Sequence, residues 1–205
     1  MSKKLILNDK KATHRLVLAS TSRYRRELLS RLGLPFTVAV PAVDETPLAD
    51  EPPLQTTLRL AQAKAAAVVD NAAPDSIIIG CDQVAELDGQ PIGKPLSHEN
   101  AVRQLHLLRG RTVTFHTALA LLNAGSGARQ IEVVPTTVRF RSLSEEQIER
   151  YLRREQPYDC AGSAKVEGLG IAILEAIEGA DPTALIGLPL ITLVSMLKKE
   201  GIEVP

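Results

Sequence analysis

The chain has 205 residues, of which 44% are hydrophobic and 23% are charged, so it carries enough apolar material to bury the core of one globular domain. Its 24 basic residues equal its 24 acidic ones and only 3% of residues are aromatic, which argues against a nucleic-acid partner and for a small molecule. Two cysteines and no long apolar segment argue against a disulfide framework, a secretory signal and a membrane partner, so we expect a cytoplasmic protein.

Strand-like apolar runs alternate with helical segments along the chain, which is typical of an α/β fold. The lysine-rich start predicts a flexible extension over residues 1–14, followed by a single domain over residues 15–205. The first predicted elements are a strand over residues 15–20, a helix over 23–32 ended by Gly33, a strand over 36–40, an acidic loop over 41–53, a helix over 54–70 and a central strand over 76–81.

The second half of the chain continues this alternation. Asp88-Gly89 predicts a hairpin turn between short strands at residues 84–87 and 91–93. The remaining predicted elements are a helix over residues 97–108, an antiparallel pair of strands over 112–122 and 131–140, a helix capped by Ser144 and Gln147, a strand within 168–177 and a helix that starts near Pro189.

Hydroxyl and guanidinium groups cluster where the first predicted strand gives way to the first helix. Ser20, Thr21 and Ser22 form this junction, and Arg23 and Arg25 follow it. A helix N-terminus attracts phosphate through its backbone N–H groups and dipole, and arginine grips phosphate with two parallel hydrogen bonds. The pattern predicts a phosphate site; the alternative is that the serines only cap the helix while the arginines stay solvated.

Acidic side chains occupy two further positions suited to chemistry. Asp44 and Glu45 lie in the acidic loop, and Asp82 follows the central apolar strand directly. Ligands of open α/β sheets collect at the carboxyl ends of strands, where carboxylates hold Mg²⁺ or deprotonate an attacking water. The alternative is that these residues merely shape turns, as aspartate often does.

Two lysines complete the candidate site. Lys64 lies on the apolar face of its predicted helix, and Lys94 lies in a tight Gly-Lys-Pro segment. Together with Arg25 they would neutralise much of a triphosphate. For Lys64 the alternative is that its long side chain snorkels out to solvent.

The blocks of sequence that carry these residues resemble, in the same order, those of the Maf family. They are residues 18–22, 25–29, 43–46, 59–61, 64–65, 79–84, 87–89, 93–95, 161–163, 167–168 and 187–190, so that the resemblance extends from Leu16 to Gly201.

The resemblance implies an ITPase-like (Maf/Ham-type) α/β fold, with a mixed twisted sheet flanked by helices and a cleft between two lobes. It also implies hydrolysis of a nucleoside triphosphate to a monophosphate and diphosphate with a divalent cation, Mg²⁺ or Mn²⁺. Carried over position by position, Asp82 is the general base and Glu45 and Asp82 lie near the metal. The phosphate-binding residues are then Ser20, Arg25, Lys64 and Lys94.

Three positions that distinguish subgroups of the family are here Tyr24, Gln83 and Glu167. An aromatic residue, Gln and Glu resemble the subgroup that acts on 7-methyl-GTP, whereas the pyrimidine-nucleotide subgroup has Arg, Thr and Gln. N7-methylation makes guanine cationic, so an aromatic face attracts it, and a carboxylate accepts hydrogen bonds from N1–H and the exocyclic amine together. The chain departs from the subgroup in having Tyr24 where Trp is expected, and Tyr is the weaker cation–π partner.

Several alternatives remain open from the sequence. In one alternative, Glu167 does not face the base but forms a surface ion pair with a lysine such as Lys165. Two alternatives concern the function: a Maf-type pyrophosphatase that prefers dTTP or UTP, and a nucleotide-binding regulator of septum formation with little catalysis. The oligomeric state is also open, with a homodimer as one alternative.

Overall fold

The computed structural model describes residues 14–204, which fold around a seven-stranded mixed sheet with helices packed against it. This confirms the predicted α/β class. The flexible extension predicted for residues 1–14 lies outside the described residues, apart from His14, and stays a prediction.

The elements follow the predicted order closely. The strands are β1 (Arg15–Ala19), β2 (Phe36–Ala39), β3 (Ser76–Leu87), β4 (Gln90–Ile92), β5 (Thr112–Asn123), β6 (Arg129–Phe140) and β7 (Leu174–Gly179). The helices are α1 (Arg23–Ser30), α2 (Pro53–Ala66), α3 (His98–Leu108), α4 (Glu145–Glu155) and α5 (Leu190–Lys199). Short 3₁₀ turns cover Val69–Asn71, Ala161–Ser163 and Leu169–Ile173.

The sheet has a parallel half and an antiparallel half that share β3. Its strand order is β2-β1-β3-β5-β6-β7, and β4 pairs with the end of β3. The β2-β1-β3 pairs are parallel, whereas β3-β5, β5-β6 and β6-β7 are antiparallel. The predicted hairpin at Asp88-Gly89 is confirmed, because β3 and β4 pair across it and both turn residues have positive φ.

Asp82 does not follow a strand end, as predicted, but lies in the middle of β3. The antiparallel pairing with β5 runs from Ile77 to Glu86, so the backbone hydrogen bonds continue past Cys81 and the strand does not stop there. The parallel pairing with β1 ends at Gly80. Asp82 therefore lies just past the carboxyl end of the parallel half, which is where an α/β sheet binds ligands.

The strand predicted within residues 168–177 begins only at Leu174. Before it, the backbone N–H of Leu169 donates to the Glu155 carboxylate at 2.6 Å and that of Gly170 to the Lys165 carbonyl at 2.9 Å. These amides have partners outside the sheet, so the segment forms a 3₁₀ turn. Similarly, α2 ends at Ala66 because residues 69–71 form a separate 3₁₀ turn.

The predicted helix caps are confirmed. Ser97 accepts a hydrogen bond from the Asn100 N–H at the start of α3. Ser144 and Gln147 form a reciprocal capping box at the start of α4. Pro189 lies at the N-cap of α5, one residue before the position expected for it.

Two hydrophobic clusters lie at opposite ends of the long strands. The first takes Ala85 from β3 and Phe115 from β5 and packs them against α3 and α4. The second takes Ile79 from β3 and Leu119 from β5 and packs them against α1 and α5. Each strand thus passes from one cluster into the other, and the residues between the clusters, Asp82 among them, lie at the midpoint.

Within residues 14–204 no helix is both long and apolar enough to cross a membrane. The cytoplasmic location expected from the sequence stays a prediction.

Candidate active site

A cavity of about 720 Å³ opens beside the middle of β3. Its walls draw on both hydrophobic clusters, since Phe115 belongs to the first and Ile186 packs against the second. This matches the expected cleft between two lobes. All nine residues predicted for the site line the cavity, namely Ser20, Tyr24, Arg25, Glu45, Lys64, Asp82, Gln83, Lys94 and Glu167.

Lys64 is held between two carboxylates at one end of the cavity. Its ammonium nitrogen Nζ lies 2.6 Å from Asp82 Oδ1 and 2.8 Å from Glu45 Oε1. The Lys64 side chain is only 6% exposed, so the snorkelling alternative is wrong. An ammonium has three donors, of which two are taken, and Asp82 keeps its second oxygen, Oδ2, for another partner.

The close approach of α2 to β3 brings Lys64 to Asp82. Gly80 faces Ala61 and Ala65 of α2, and a Cβ at Gly80 would lie 2.2 Å from the Ala61 carbonyl oxygen. Because glycine and alanine leave room for direct backbone contact, the helix lies against the strand. Lys64 follows Ala61 by three residues on the same helix face and so reaches Asp82, two residues beyond Gly80.

The electrostatic surroundings of Glu45 favour its ionised form. Burial opposes ionisation of this carboxyl, but its hydrogen bond to Lys64 and the charges of Lys64, Lys94 and Arg25 outweigh burial, so the pKa of Glu45 is lowered. Lys94 and Arg25 are therefore near enough to act on the same carboxylate. The end of the cavity near Glu45 combines three cations with two carboxylates.

The residues present fit the divalent cation that the family resemblance implies. Glu45 and Asp82 already share one cation, the Lys64 ammonium. In residues 14–204 no cluster of three or more His, Cys, Asp or Glu side chains could hold a metal ion by itself. Mg²⁺ typically uses one or two carboxylates together with substrate phosphates and waters. The donor set therefore suits a metal that is bound jointly with a nucleotide.

Of the serines in the predicted phosphate turn, Ser22 caps α1, and Ser20 binds the backbone N–H of this cap residue. Ser20 Oγ accepts from the Ser22 N–H at 3.1 Å, and Ser22 Oγ accepts from the Arg25 N–H at 3.4 Å. A hydroxyl that accepts from a backbone N–H keeps its own proton for another acceptor. Capping and phosphate binding are therefore compatible at Ser20, which is buried at the cavity wall.

Arg25 is anchored by only part of its guanidinium. Its Nε donates to the Gly187 carbonyl at 2.9 Å, and Cys81 Sγ contacts the same oxygen at 3.0 Å. The two terminal amino groups of Arg25 make no hydrogen bond to the described residues and are available to an anion.

The acidic loop is held against α2 by Arg59. Its guanidinium contacts both oxygens of Glu51, at 2.6 and 2.7 Å, and the carbonyl of Thr46 at 3.1 Å. The hydrogen bonds from Arg59 lower the pKa of Glu51 to about 2. Asp44 accepts from the Thr46 N–H at 2.9 Å, so for this residue the turn interpretation is confirmed.

Tyr24, which also lines the cavity, already has a cation on its ring. The Arg23 guanidinium lies 4.7 Å from the ring centroid and donates to the Tyr24 hydroxyl at 2.6 Å. Asp159 accepts from both side chains. One face of Tyr24 is thus covered, and a cationic base would have to use the other face.

Glu167 is an exposed residue in the cavity wall and is not paired with Lys165. The Lys165 ammonium lies 2.5 Å from the Glu155 carboxylate instead, so the predicted alternative of a Glu167–Lys165 ion pair is wrong. Burial, followed by the charges of Glu155 and Asp159, raises the pKa of Glu167 despite the opposing effect of Lys165 and a backbone hydrogen bond. Within residues 14–204 the Glu167 carboxylate takes part in no ion pair.

Sequence reasoning missed three groups in or around the cavity. They are Asp159 and Thr117, whose partners Tyr24 and Gln83 lie 135 and 34 positions away, and the Arg59–Glu51 pair, whose members are 8 positions apart. Thr117 is one of several β-branched residues in a predicted strand, and no sequence pattern distinguishes it. Asp159 lies in a loop, where aspartate is ordinary.

The chain matches the family model described as "Maf-like protein" over residues 15–200. It is 61% identical over 189 residues to a 7-methyl-GTP pyrophosphatase of Methylobacillus flagellatus, covering 92% of this chain and 98% of the relative. Proteins of the same name from Nitrosospira multiformis and Burkholderia pseudomallei are 54% and 58% identical, covering 97% and 91% of this chain and 100% and 88% of the relatives.

Among solved structures, a nucleoside-triphosphatase (dITP/XTP pyrophosphatase) from Mycobacterium abscessus overlaps 63% of this chain and 74% of its own, with a TM-score of 0.39 and 15% identity. The family model covers nearly all of the described residues, and the relatives align over almost their whole length. The chain therefore belongs to the Maf family.

Proposed function

We propose that the protein hydrolyses 7-methyl-GTP to 7-methyl-GMP and diphosphate. The observation that carries the proposal is the polarity of the cavity. One group of lining residues combines three cations and two carboxylates around Lys64, and a second group contains Glu167 without a lysine partner. The first group suits a triphosphate and the second suits a base that is cationic and rich in hydrogen-bond donors. The names of the relatives at 54–61% identity agree with this substrate.

The residues near Lys64 supply the hydrolytic chemistry. Asp82 Oδ2 takes a proton from a water whose oxygen attacks the α-phosphorus, while Oδ1 stays on Lys64. The bond from the α-phosphorus to the bridging oxygen breaks, and diphosphate leaves with the electron pair. Arg25, Lys94 and the Ser20 hydroxyl stabilise the charge on the phosphate oxygens. A divalent metal, when bound at Glu45 and Asp82, adds positive charge to these oxygens.

Glu167 and Tyr24 select the base. The Glu167 carboxylate accepts from guanine N1–H and the exocyclic amine, and its charge favours a methylated, cationic ring over a neutral one. The uncovered face of Tyr24 stacks on that ring. Pyrimidines offer neither this pattern of donors nor the charge, which disfavours the dTTP or UTP alternative.

A regulator that binds nucleotide without turnover is disfavoured by the buried pair of Asp82 and Lys64. Burying ionised groups is costly, and a site that only binds a triphosphate can use carboxylates to hold a metal but does not need one of them in a buried ion pair. The pair is useful where a proton must be removed from water.

Release of diphosphate from 7-methyl-GTP, GTP, UTP and dTTP with Mg²⁺ or Mn²⁺ tests the proposal. We expect the highest kcat/KM for 7-methyl-GTP and loss of activity when the metal is chelated. Equal rates on all four nucleotides would contradict the base selection, and tight binding without turnover would favour the regulator.

Asp82→Asn tests the general base in the same assay. The substitution keeps the shape but removes the basic oxygen, so we expect kcat to fall by about 10²–10⁴-fold. Asp44→Asn, at the exposed turn residue of the acidic loop, is the matched control and should keep its activity. Full activity in Asp82→Asn would show that another group removes the proton.

A further inference from the structure

The amide of Gln83 is fixed at its nitrogen end. Its Nε2 donates to the Thr117 hydroxyl at 2.8 Å and to the backbone carbonyls of Ala184 and Leu185 at 2.9 and 3.2 Å. A carbonyl oxygen can only accept a hydrogen bond, so the end of the amide that faces these two carbonyls has to be the NH₂ group. The orientation of the amide follows from its partners.

Thr117 reinforces this orientation. It lies directly opposite Gln83 in the pairing of β3 with β5 and is fully buried. Its hydroxyl donates its single proton to the Ala184 carbonyl at 3.0 Å, so toward Gln83 it can only accept. Toward Gln83, the Thr117 hydroxyl and the two carbonyls are therefore all acceptors, and none of them can donate a hydrogen bond to the amide oxygen.

The oxygen end of the same amide remains available. Within residues 14–204, Gln83 Oε1 accepts no hydrogen bond, and Gln83 lines the cavity with part of its side chain exposed. We propose that Thr117 is a positioning residue for base selection, which holds the Gln83 amide so that Oε1 is presented to the nucleobase as a hydrogen-bond acceptor.

This inference rests on the proposed function, because it needs a guanine-type base at the Glu167 end. Guanine has three N–H groups on this edge, one at N1 and two on the exocyclic amine. The Glu167 carboxylate takes the N1–H and one amine N–H, and Gln83 Oε1 takes the remaining amine N–H. A base that differs only in lacking the amine leaves Oε1 without its partner.

The test compares 7-methyl-GTP with 7-methyl-ITP, whose base lacks only the exocyclic amine. Thr117→Val keeps the shape of the side chain but removes the hydroxyl, and we expect it to lower the kcat/KM ratio of the two substrates about fivefold, the value of one neutral hydrogen bond. Thr117→Ser restores the hydroxyl and should restore the ratio. A purely structural role for Thr117 would lower kcat/KM for both substrates alike and leave the ratio unchanged.

Binding of 7-methyl-GMP and 7-methyl-IMP, measured by calorimetry, gives the same ratio without hydrolysis. If the wild type releases no diphosphate from any nucleotide, the proposed function fails while this binding ratio still decides the role of Thr117. Gln83→Leu provides a second variant should Thr117→Val not fold, and it should lower the ratio at least as much, because it removes Oε1 itself. The inference would be overturned if the folded variants kept the wild-type ratio. It would also be overturned if the wild type bound and hydrolysed the nucleotides with and without the exocyclic amine equally well.

Discussion

Lys64, Lys165 and Arg23 show that the role of a charged residue depends on its partner. The sequence predicts that Lys64 lies on an apolar helix face. In the structure it is buried between Asp82 and Glu45, which makes it part of the site. Lys165, two residues from Glu167, binds Glu155 and leaves Glu167 to the cavity. Arg23 covers one face of Tyr24. The residue types were evident from the sequence, whereas the pairings depend on segments that meet only in the fold.

The raised pKa of Glu167 predicts a pH dependence of substrate preference. Burial disfavours the charged form, so Glu167 becomes protonated at a pH above its ordinary value of 4.5. Once protonated it loses its charge and its second acceptor, and the preference for 7-methyl-GTP over GTP should fall as the pH is lowered toward that value. The kcat/KM ratio of the two substrates against pH checks this.

Glu167→Gln is the matched control for this titration. Its amide has no ionisable group, so the ratio should be low and independent of pH over the same range. A ratio that falls with pH equally in both proteins would assign the titration to another group.

At the scale of elements, the contact between α2 and β3 explains the geometry of the site. The sequence predicted both elements and the central position of β3, but it placed Asp82 at a strand end. The strand continues because β5 pairs with it from the antiparallel side, and a partner strand cannot be read from the local pattern of β3. The Gly80 contact likewise depends on which helix lies across the strand.

Gly80→Ala should separate α2 from β3. The added methyl group would meet the Ala61 carbonyl oxygen and the Ala65 nitrogen, so α2 must move away. We expect a loss of about 1–3 kcal/mol in the free energy of unfolding, as for other overpacked cores. We also expect a lower kcat, because Lys64 shifts relative to Asp82. Denaturant unfolding and the diphosphate assay measure the two effects.

Gly93→Ala is the control for the loss of stability, since a Cβ there meets no atom within 4 Å and its φ is not positive. It should leave the free energy of unfolding nearly unchanged. Wild-type stability in Gly80→Ala would mean that α2 and β3 are less tightly packed than the structure indicates.

At the scale of the whole molecule, the segment before α5 joins distant parts of the chain at the cavity. Its Gly187 carbonyl binds Arg25 of α1, and its Ala184 carbonyl binds Gln83 and Thr117. Asp181 fixes the other side of the segment. This carboxylate accepts from the N–H groups of Ile191 and Thr192 at the start of α5, which Pro189 cannot cap with a side-chain hydrogen bond.

Asp181→Ala should therefore affect both stability and substrate binding. Loss of the cap costs about 1–2 kcal/mol, which corresponds to a Tm lower by about 5 °C for a chain of this size. KM should rise, because the segment that orients Arg25 and Gln83 loosens. Calorimetric unfolding and steady-state kinetics measure these changes.

Asp75→Ala is the control at an exposed aspartate, whose ion pair with Arg15 lies in solvent. It should change stability by less than about 0.5 kcal/mol and leave KM unchanged. A KM for Asp181→Ala equal to that of the wild type would show that α5 is uncoupled from the cavity.

The sequence by itself determined the α/β class, most element positions, the helix caps and nine of the residues that line the cavity. These depend on local periodicity, capping chemistry and the ordered blocks that resemble the Maf family. Only the tertiary structure decided that Asp82 lies in mid-strand, that Lys64 is paired and not snorkelled, and that Thr117 orients Gln83. Such facts are contacts between residues far apart in the chain, for example 18 positions for Lys64 and Asp82 and 101 for Gln83 and Ala184. Their energies depend on burial and geometry, which the packing of the whole sheet sets.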